Sequence, residues 1–579
     1  MNTSLRTPRF TLVWVGVLAM ITGCTASPGG PLGAVAADHP LAAEAGAEVL
    51  RAGGNAVDAA VATSLALSVV RPDACGIGGG GFMVIHLPDD PNHGRVSTAI
   101  DYREICPAAI GPDTYANWGD PEASRRGGRA VAIPGTIAGL THALNHYGTM
   151  ERARVFAPAI RLAEQGFAAD AHHVRTAQSL VSYFNDDPIR RTRFPLVWLR
   201  FMREGQIQIG DRIELPEQAA ILRLIADTGP DAFYQGSIAD SIVASASADG
   251  GVLTHTDLSS YRVRETAPVR HRVGPFELMA MPPPSSGGVA VAQILDLAYR
   301  LEIDVPTTGW TDAASAHLLA ECMKHAFADR ARYMADPAFA HVPVDHMLNH
   351  DVLQAIARRI DRTKTMPAPS YGSRAPLTED GGTSHLSVID AWGGAVACTE
   401  TINLAFGSLV GVRGAGFCLN DQMDDFTTVR GQRNAFGLVQ SDANLPEPGK
   451  RPLSSMSPTI LVDHKDQVVA VAGASGGPRI ITSTAQVLLR RLRANASATQ
   501  AVRAPRLHHQ WLPDRLDLEP GGEARETLAS QLAVRGHAVS DREQVGAVQA
   551  LFRDAHTSDI DGAADHRKGG AVRTGRVER

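Results

Sequence analysis

Residues 381–390 read Gly381-Gly382-Thr383-Ser384-His385-Leu386-Ser387-Val388-Ile389-Asp390, a stretch in which cleavage of one peptide bond would turn a threonine into a catalyst. A threonine hydroxyl is a weak nucleophile until a base lies within hydrogen-bond reach, and a free N-terminal amine on the same residue is such a base. That amine titrates at roughly 7.7 to 8 in model peptides, so much of it can accept a proton near neutrality. While Gly382 remains attached, the nitrogen is an amide and accepts nothing. The chain must therefore cut itself between Gly382 and Thr383 before Thr383 can act.

Outward from this point, residues after Thr383 alternate as a strand, 390–394 supply turn chemistry, and Ala395 to Asn403 resume an extended pattern. A β-hairpin centred on Trp392 has nine positions on either side and sets Thr383 opposite Thr401. Directly opposed side chains touch, so Thr401 is placed to orient the hydroxyl or amine of Thr383. Thr399, Thr401 and Asn403 share a face, and Thr399 alone reads as an ordinary β-branched strand residue. A slip of one residue would destroy this alignment.

The wider sequence carries GGNAVDAA (53–60), Asp101-Tyr102-Arg103-Glu104, IPGTIAGL (133–140), MPPPSSGG (281–288), TSHLSVID (383–390), TETINLAFGS (399–408), LNDQMDDF (419–426), PGKRPLSSMSPT (448–459) and ASGGPRIIT (474–482). In these segments and their order the chain resembles the γ-glutamyltranspeptidases, or glutathione hydrolases, of the N-terminal nucleophile hydrolase superfamily. The resemblance covers nearly everything after residue 33. It implies an α/β (α+β) fold, a four-layer αββα sandwich formed jointly by two autoprocessed fragments, 24–382 and 383–579.

The resemblance also implies a γ-glutamyl site. Arg103 would pair with the substrate α-carboxylate, where a guanidinium makes a two-pronged contact. Ser454 and Ser455 would add hydroxyl donors, while Asp425, Asn403 and Gln422 would accept from the α-ammonium. Alone, Arg103 reads better as a surface ion-pair residue, the serines as helix caps and Asp425 as a turn residue; their combination favours the site. Thr383 Oγ would attack the γ-carbonyl, its own amine would take the proton, and a γ-glutamyl ester would pass to water or to an amino acid or peptide. Glutathione is the expected donor, and no cofactor is implied. Residues 427–451 form a long Pro/Gly-interrupted loop suggestive of a lid. Some bacterial relatives carry a tyrosine where this chain has Phe436, which offers no hydroxyl.

Gly473-Ala474-Ser475-Gly476-Gly477 matches GxSxG between a strand at 468–471 and a helix from Ile480. One reading makes Ser475 a nucleophile with Asp517 and His537. The other demotes the serine and lets the N–H groups of Gly476 and Gly477, at a strand-to-helix junction, receive a developing oxyanion. Gly76, Gly78 and Gly81 satisfy GxGxxG, but a strand follows them, the reverse of a dinucleotide site. Close backbone packing is their expected use.

At the N-terminus, Arg6 and Arg9 precede an apolar run at 10–21, too short to span a bilayer comfortably, which reads as a secretory signal over residues 1–23. Ile21-Thr22-Gly23-Cys24 resembles a bacterial lipoprotein box, implying a lipid on Cys24 and a cell-envelope or periplasmic location. A conventional cleaved signal with an incidental Cys24 is the other possibility. Cys75, Cys106, Cys322, Cys398 and Cys418 form no CxxC pairs, so neither a disulfide framework nor a metal site is indicated. A net charge of −6 without a long basic run argues against nucleic acid.

Helices are expected at 41–51, 56–70 and 311–334, with a predominantly helical stretch at 150–265. A mobile linker is expected at 361–382, and a polar, glycine-rich tail without assigned structure after Ala564. Two functions remain besides the γ-glutamyl enzyme: a cephalosporin (glutaryl) acylase of similar architecture, which has less use for Asp425, and a processed but inactive binding lipoprotein.

Overall fold

A computed structural model of the chain describes residues 32–90, 92–372, 382–431, 434–435, 438, 441–554 and 557–577. Two antiparallel sheets lie at its centre. The first runs Ala571–Arg576, Leu32–Ala37, Gly382–Ile389, Ala395–Asn403, Gly80–Asp90, Gly94–Tyr102 and Arg264–Thr266 in spatial order. The second runs Ile560–Ala564, Ala547–Arg553, Val468–Ser475, Thr459–Val462, Phe276–Ala280 and Val269–Val273. Gly382–Ile389 of the first packs on Val468–Ser475 of the second.

Both faces of the first sheet are covered, so its strands are apolar in consecutive positions rather than in alternation. Val35, Ala37, Met83, Ile85, Val396 and Cys398 join one core, while Ala34, Ala36, Phe82, Val84, Ala395 and Ala397 join the other, between the sheets. Helices Pro40–Arg51 and Ala56–Val70 cover the outer face of the first sheet. Gly287–Arg300 and Arg479–Ala494 cover the second sheet, and Ala313–Tyr333 packs against Gly287–Arg300. The result is the expected αββα sandwich. Every residue of Ala56–Val70 is buried, because a further helix, Arg152–Gln165, packs against it away from the sheet.

The GGNAVDAA segment has a structural role here. Asn55 caps Ala56–Val70 in a capping box with Asp58, whose carboxylate also accepts from Thr149. Such a cap contributes about 1 kcal/mol.

Two sequence expectations need adjustment. Residues 571–576, left without structure in the reading of the tail, form an edge strand paired with Leu32–Ala37, Leu32 opposite Arg576 and Ala37 opposite Ala571. An edge strand exposed at Arg573, Thr574 and Arg576 tolerates the polar and glycine residues that hid it. Of the linker expected at 361–382, Ala368–Ser370 make a short 3-10 turn and Gly382 already belongs to the strand Gly382–Ile389; residues 373–381 lie outside the described residues.

Candidate active site

The hairpin has the register read from the sequence. Gly382–Ile389 and Ala395–Asn403 pair with Thr383 opposite Thr401 and His385 opposite Thr399, and Asp390 closes the turn by accepting from the N–H groups of Trp392 and Gly394. Thr383, His385 and Ser387 point between the sheets. The His385 ring sits where a side chain at position 473 would project, 2.3 Å from an idealised Cβ, so Gly473 of the GxSxG match makes room for an imidazole. His385 binds Thr399 Oγ1 at 2.7 Å, and burial drops its pKa to about 3, which keeps it neutral.

Around the Gly382–Thr383 bond, Thr401 Oγ1 donates to the Gly382 carbonyl oxygen at 2.6 Å, accepts from the Asn403 N–H at 2.8 Å, and lies 3.4 Å from Thr383 Oγ1. A bulge between Thr401 and Asn403, with Asn403 at φ 79°, brings that N–H round to the hydroxyl. Thr401 thus draws electron density from the carbonyl that Thr383 Oγ would have to attack for the chain to cut itself here. Forming the Oγ–C bond and breaking C–N, with the hydroxyl proton passing to nitrogen, would give an ester that water can cleave. A Cβ at residue 382 would meet Asp73 O at 2.7 Å and Ala74 Cα at 3.0 Å, so only glycine presents this carbonyl without displacing backbone. Of the three glycines expected to serve close packing, Gly78 and Gly81 do so, their Cβ positions lying 2.3 Å from Cys418 O and 2.6 Å from Thr399 O, whereas Gly76 has no neighbour nearer than 3.9 Å.

A small cavity of about 20 Å³ gathers Thr383, Thr401, Asp425, Ser454, Ser455 and Gly477. Gly476 and Gly477 have φ of 124° and 56° between the strand ending at Ser475 and the helix starting at Arg479, so both depend on glycine's freedom. Ser475 lines a second, larger cavity that also reaches Thr383, but among the described residues no triad assembles around it. Asp517 accepts from Ser540 and Arg542, and His537 bonds His317.

Arg103, Asn403 and Gln422 sit behind the small cavity rather than in its lining. Arg103 is fully buried, bonds Asp425 Oδ2 at 2.5 Å, and reaches the Pro452 and Leu453 carbonyls at 3.3 and 3.4 Å. Its backbone N–H is fixed by Asp101, itself paired with Arg451 at 2.6 Å. Arg103 and Asp425 are thus paired with each other in the uncut chain. A zwitterion would exchange this one pair for two, its carboxylate on Arg103 and its ammonium on Asp425. Gln422 Nε2 donates to Asp425 at 2.7 Å, while its buried Oε1 has no hydrogen-bond partner and stays available as an acceptor. Burial pushes the Asp425 carboxyl above the ordinary carboxylate range, against the pull of Arg103. Asp424 is held by Ser124, Arg125 and the Ala435 N–H, so only the second aspartate of the pair faces the cavity. Within the loop expected as a lid, Asn434 reaches Asp425 at 3.3 Å and Leu438 lines the cavity; Phe436 lies outside the described residues.

Three residues escaped the sequence reading. Arg330, from Ala313–Tyr333, lines the small cavity, donates to Ser286 Oγ at 2.9 Å and to Ser455 Oγ at 3.4 Å, and is lowered to about 10 by burial. Glu104, beside Arg103, is raised to about 8 by burial, and neither carboxyl oxygen has a hydrogen bond. Lys568 donates to the Thr383 carbonyl and pairs with Asp38 at 2.7 Å, fixing the backbone of Thr383 from the tail. An arginine in a helix and a lysine in a polar tail gave no local signal of a site. Elsewhere, His317, Glu321 and His537 bring potential metal-ligand atoms within 4.8 Å of one another, a grouping that spacing in the sequence did not reveal. Glu321 already accepts from Thr365 and Tyr371 and has the Lys324 ammonium at 3.7 Å, an environment poor for a cation.

The family model for gamma-glutamyltranspeptidase matches residues 42–575. The chain belongs to this family. It is 40% identical over 489 residues to the glutathione hydrolase proenzyme of Pseudomonas sp. (strain A14), covering 84% of this chain and 82% of the relative. In three dimensions it resembles the cephalosporin acylase from Bacillus halodurans, with a TM-score of 0.80 and 25% identity over 94% of this chain and 96% of the other. It also resembles the gamma-glutamyltranspeptidase from Pseudomonas nitroreducens complexed with L-DON, with a TM-score of 0.52 and 33% identity over 57% of this chain and 96% of that one.

Proposed function

We propose that the chain is a self-cleaving γ-glutamyl hydrolase and transpeptidase that uses glutathione and related γ-glutamyl compounds. The observation that carries this reading is the convergence of Thr383, Thr401, Asp425, Ser454, Ser455 and Gly477 on one cavity beside an intact Gly382–Thr383 bond. Thr383 is the nucleophile and, once freed, its own base; Thr401 orients it; Gly476 and Gly477 receive the oxyanion. Arg103, Ser454 and Ser455 take the α-carboxylate, and Asp425, Asn403 and Gln422 take the α-ammonium. Cutting before Thr383 yields fragments 24–382 and 383–579. Release of cysteinylglycine from glutathione, assayed on purified processed protein beside glutaryl-cephalosporin and a blank, tests the reading. The likeness to a cephalosporin acylase favours glutaryl hydrolysis as the alternative, and faster turnover of the glutaryl compound would replace our reading with it.

Arg330 supports the carboxylate end through Ser455. Arg330→Met is expected to process normally and to lower kcat/KM for γ-glutamyl donors by about tenfold, mainly through KM, as loss of one charge-assisted contact predicts. An unaltered KM would remove Arg330 from the site.

We further propose that the exported chain is anchored through a lipid on Cys24, which lies outside the described residues. Cys24→Ser is expected to release active enzyme or to leave its signal unprocessed, since the site residues are far along the chain. Mass spectrometry of the mature N-terminus decides it: an unmodified start downstream of Cys24 rules the anchor out.

A further inference from the structure

Lys568 stands in the turn between the strands Ile560–Ala564 and Ala571–Arg576, and its side chain is buried, only 6% exposed. Its backbone is tied on both sides: the N–H donates to Asp565 O at 3.2 Å and the carbonyl accepts from Arg71 at 3.0 Å. The ammonium donates to the Thr383 carbonyl and lies 3.4 Å from Ser384 Oγ. Its counter-ion, Asp38, follows the strand Leu32–Ala37 and bonds it at 2.7 Å, and the same carboxylate accepts from the His385 N–H at 3.3 Å and from Gln549. Asp38 therefore approaches from the side of residue 385, and the positive end of the pair faces Thr383.

The nitrogen and carbonyl oxygen of one residue are three bonds apart, so covalent geometry brings this ammonium within about 6 Å of the amine that cleavage releases on Thr383. At that distance a like charge disfavours the protonated amine. A lysine ammonium holds its proton more tightly than an α-ammonium, at about 10.4 against about 7.7 to 8 in model peptides, so the α-amine is the group that yields. The other charges around Thr383 are committed elsewhere. Asp73 bonds His172 at 3.0 Å with His173 at 3.8 Å, Arg567 pairs with Asp565 and Glu519, Asp425 pairs with Arg103, and Arg330 donates to Ser286 and Ser455. Burial keeps His172 and His385 neutral and the Cys75 thiol protonated. Glu400, on the outer face of the sheet, accepts from Ser64 and Tyr102. Arg175 and Glu543 line the larger cavity from exposed positions, where water and salt screen them.

We propose, resting on the γ-glutamyl reading of the site, that Lys568 is a positioning residue for the base: its charge keeps the freed Thr383 amine in the proton-accepting form at neutral pH. The amine can then take the proton of Thr383 Oγ as the hydroxyl attacks, and return it to the leaving amine. Asp38 belongs to the 24–382 piece and Lys568 to the 383–579 piece, so the base is tuned only while the two stay assembled. Removing the cation raises the pH at which the amine gives up its proton, and the acid limb of kcat/KM rises with it. Asp38, left without its counter-ion, pushes in the same direction.

The test titrates the amine directly. Processed protein is treated with cyanate, which carbamylates unprotonated amines and is small enough for the cavity of about 490 Å³ beside Thr383, and the Thr383 amine is followed across pH by mass spectrometry of the small fragment. In the wild type its midpoint is expected below the roughly 7.7 to 8 of a free α-amine. Lys568→Met is expected to raise that midpoint, and the acid limb of γ-glutamyl-p-nitroanilide hydrolysis, by about one pH unit, with Lys568→Arg restoring both. Where Lys568→Met does not process, the double variant Lys568→Met/Asp38→Asn, which removes both members of the buried pair, takes its place, with a shift in the same direction. A wild-type amine that titrates at or above the ordinary value overturns the proposal, as does a midpoint that loss of the Lys568 charge leaves in place. A low wild-type midpoint that Lys568→Met raises, in protein inert towards the anilide, overturns the γ-glutamyl reading and leaves the effect of Lys568 on the amine standing.

Discussion

Thr383→Ala is expected to remain a single chain with at least about a thousandfold less activity, the scale seen when a catalytic nucleophile is removed. The methyl side chain cannot attack the Gly382 carbonyl, so the amine that would serve as base never forms. Thr401 still donates to that carbonyl, but polarisation without a nucleophile cuts nothing. Thr383→Ser is expected to process, because the hydroxyl remains, with looser control of χ1 once the β-methyl is gone. N-terminal sequencing of the smaller fragment from the unaltered protein must begin at Thr383. Any other start removes the mechanism.

The second large effect separates recognition from processing. Asp425→Ala and Arg103→Ala are expected to self-cleave, since processing uses Thr383, Thr401 and the Gly382 carbonyl rather than the substrate's charged end. Both are expected to lose about ten- to more than a hundredfold in kcat/KM on γ-glutamyl donors, the range for one charge-assisted hydrogen bond of about 1.5 to 3 kcal/mol. The structure adds a stability effect. Arg103 and Asp425 are buried and bonded to each other, so deleting either leaves a buried charge without its main counter-ion, at a cost of about 3 to 5 kcal/mol. Arg103→Ala should therefore melt well below the unaltered protein, and so should Asp425→Asn, which keeps the shape but removes the counter-charge of Arg103. Asp425→Ala should also discriminate less against a glutaryl donor, which lacks the ammonium. An unchanged ratio of γ-glutamyl to glutaryl turnover in the folded variant would end the assignment of Asp425 to the ammonium.

What the sequence showed depended on how local the cause was. The Thr383–Thr401 register was legible because a short turn centred on Trp392 fixes it, and the strand-to-helix glycines at 476 and 477 were legible because φ and sequence are tightly linked there. Long-range contacts were not. That Arg103 and Asp425, more than 300 positions apart, would pair in the uncut chain has no local signature, and motif matching supplied the substrate contacts without this exchange. Arg330 is hidden for the same reason: a charged residue in a helix reads as solvated until another element is laid across it. The tail was misjudged because composition reports burial, and a strand exposed at Arg573, Thr574 and Arg576 has little of it. Yet that tail carries Lys568, which holds the backbone of the nucleophile.

The interleaving of the sheets reaches beyond catalysis. Leu32–Ala37 is inserted between Ala571–Arg576 and Gly382–Ile389, and Ala395–Asn403 pairs with Gly80–Asp90, so strands from either side of residue 382 alternate within one sheet. After the cut, the two pieces are joined only through hydrogen-bonded seams deep in the sandwich. Neither can leave without tearing strands from the centre of the fold, so dilution gives no route to dissociation. Each mature molecule keeps the two pieces of its own translation product for life. When two processed populations are mixed, fragments will not trade places, and a defective half in one molecule cannot be complemented by a sound half from another.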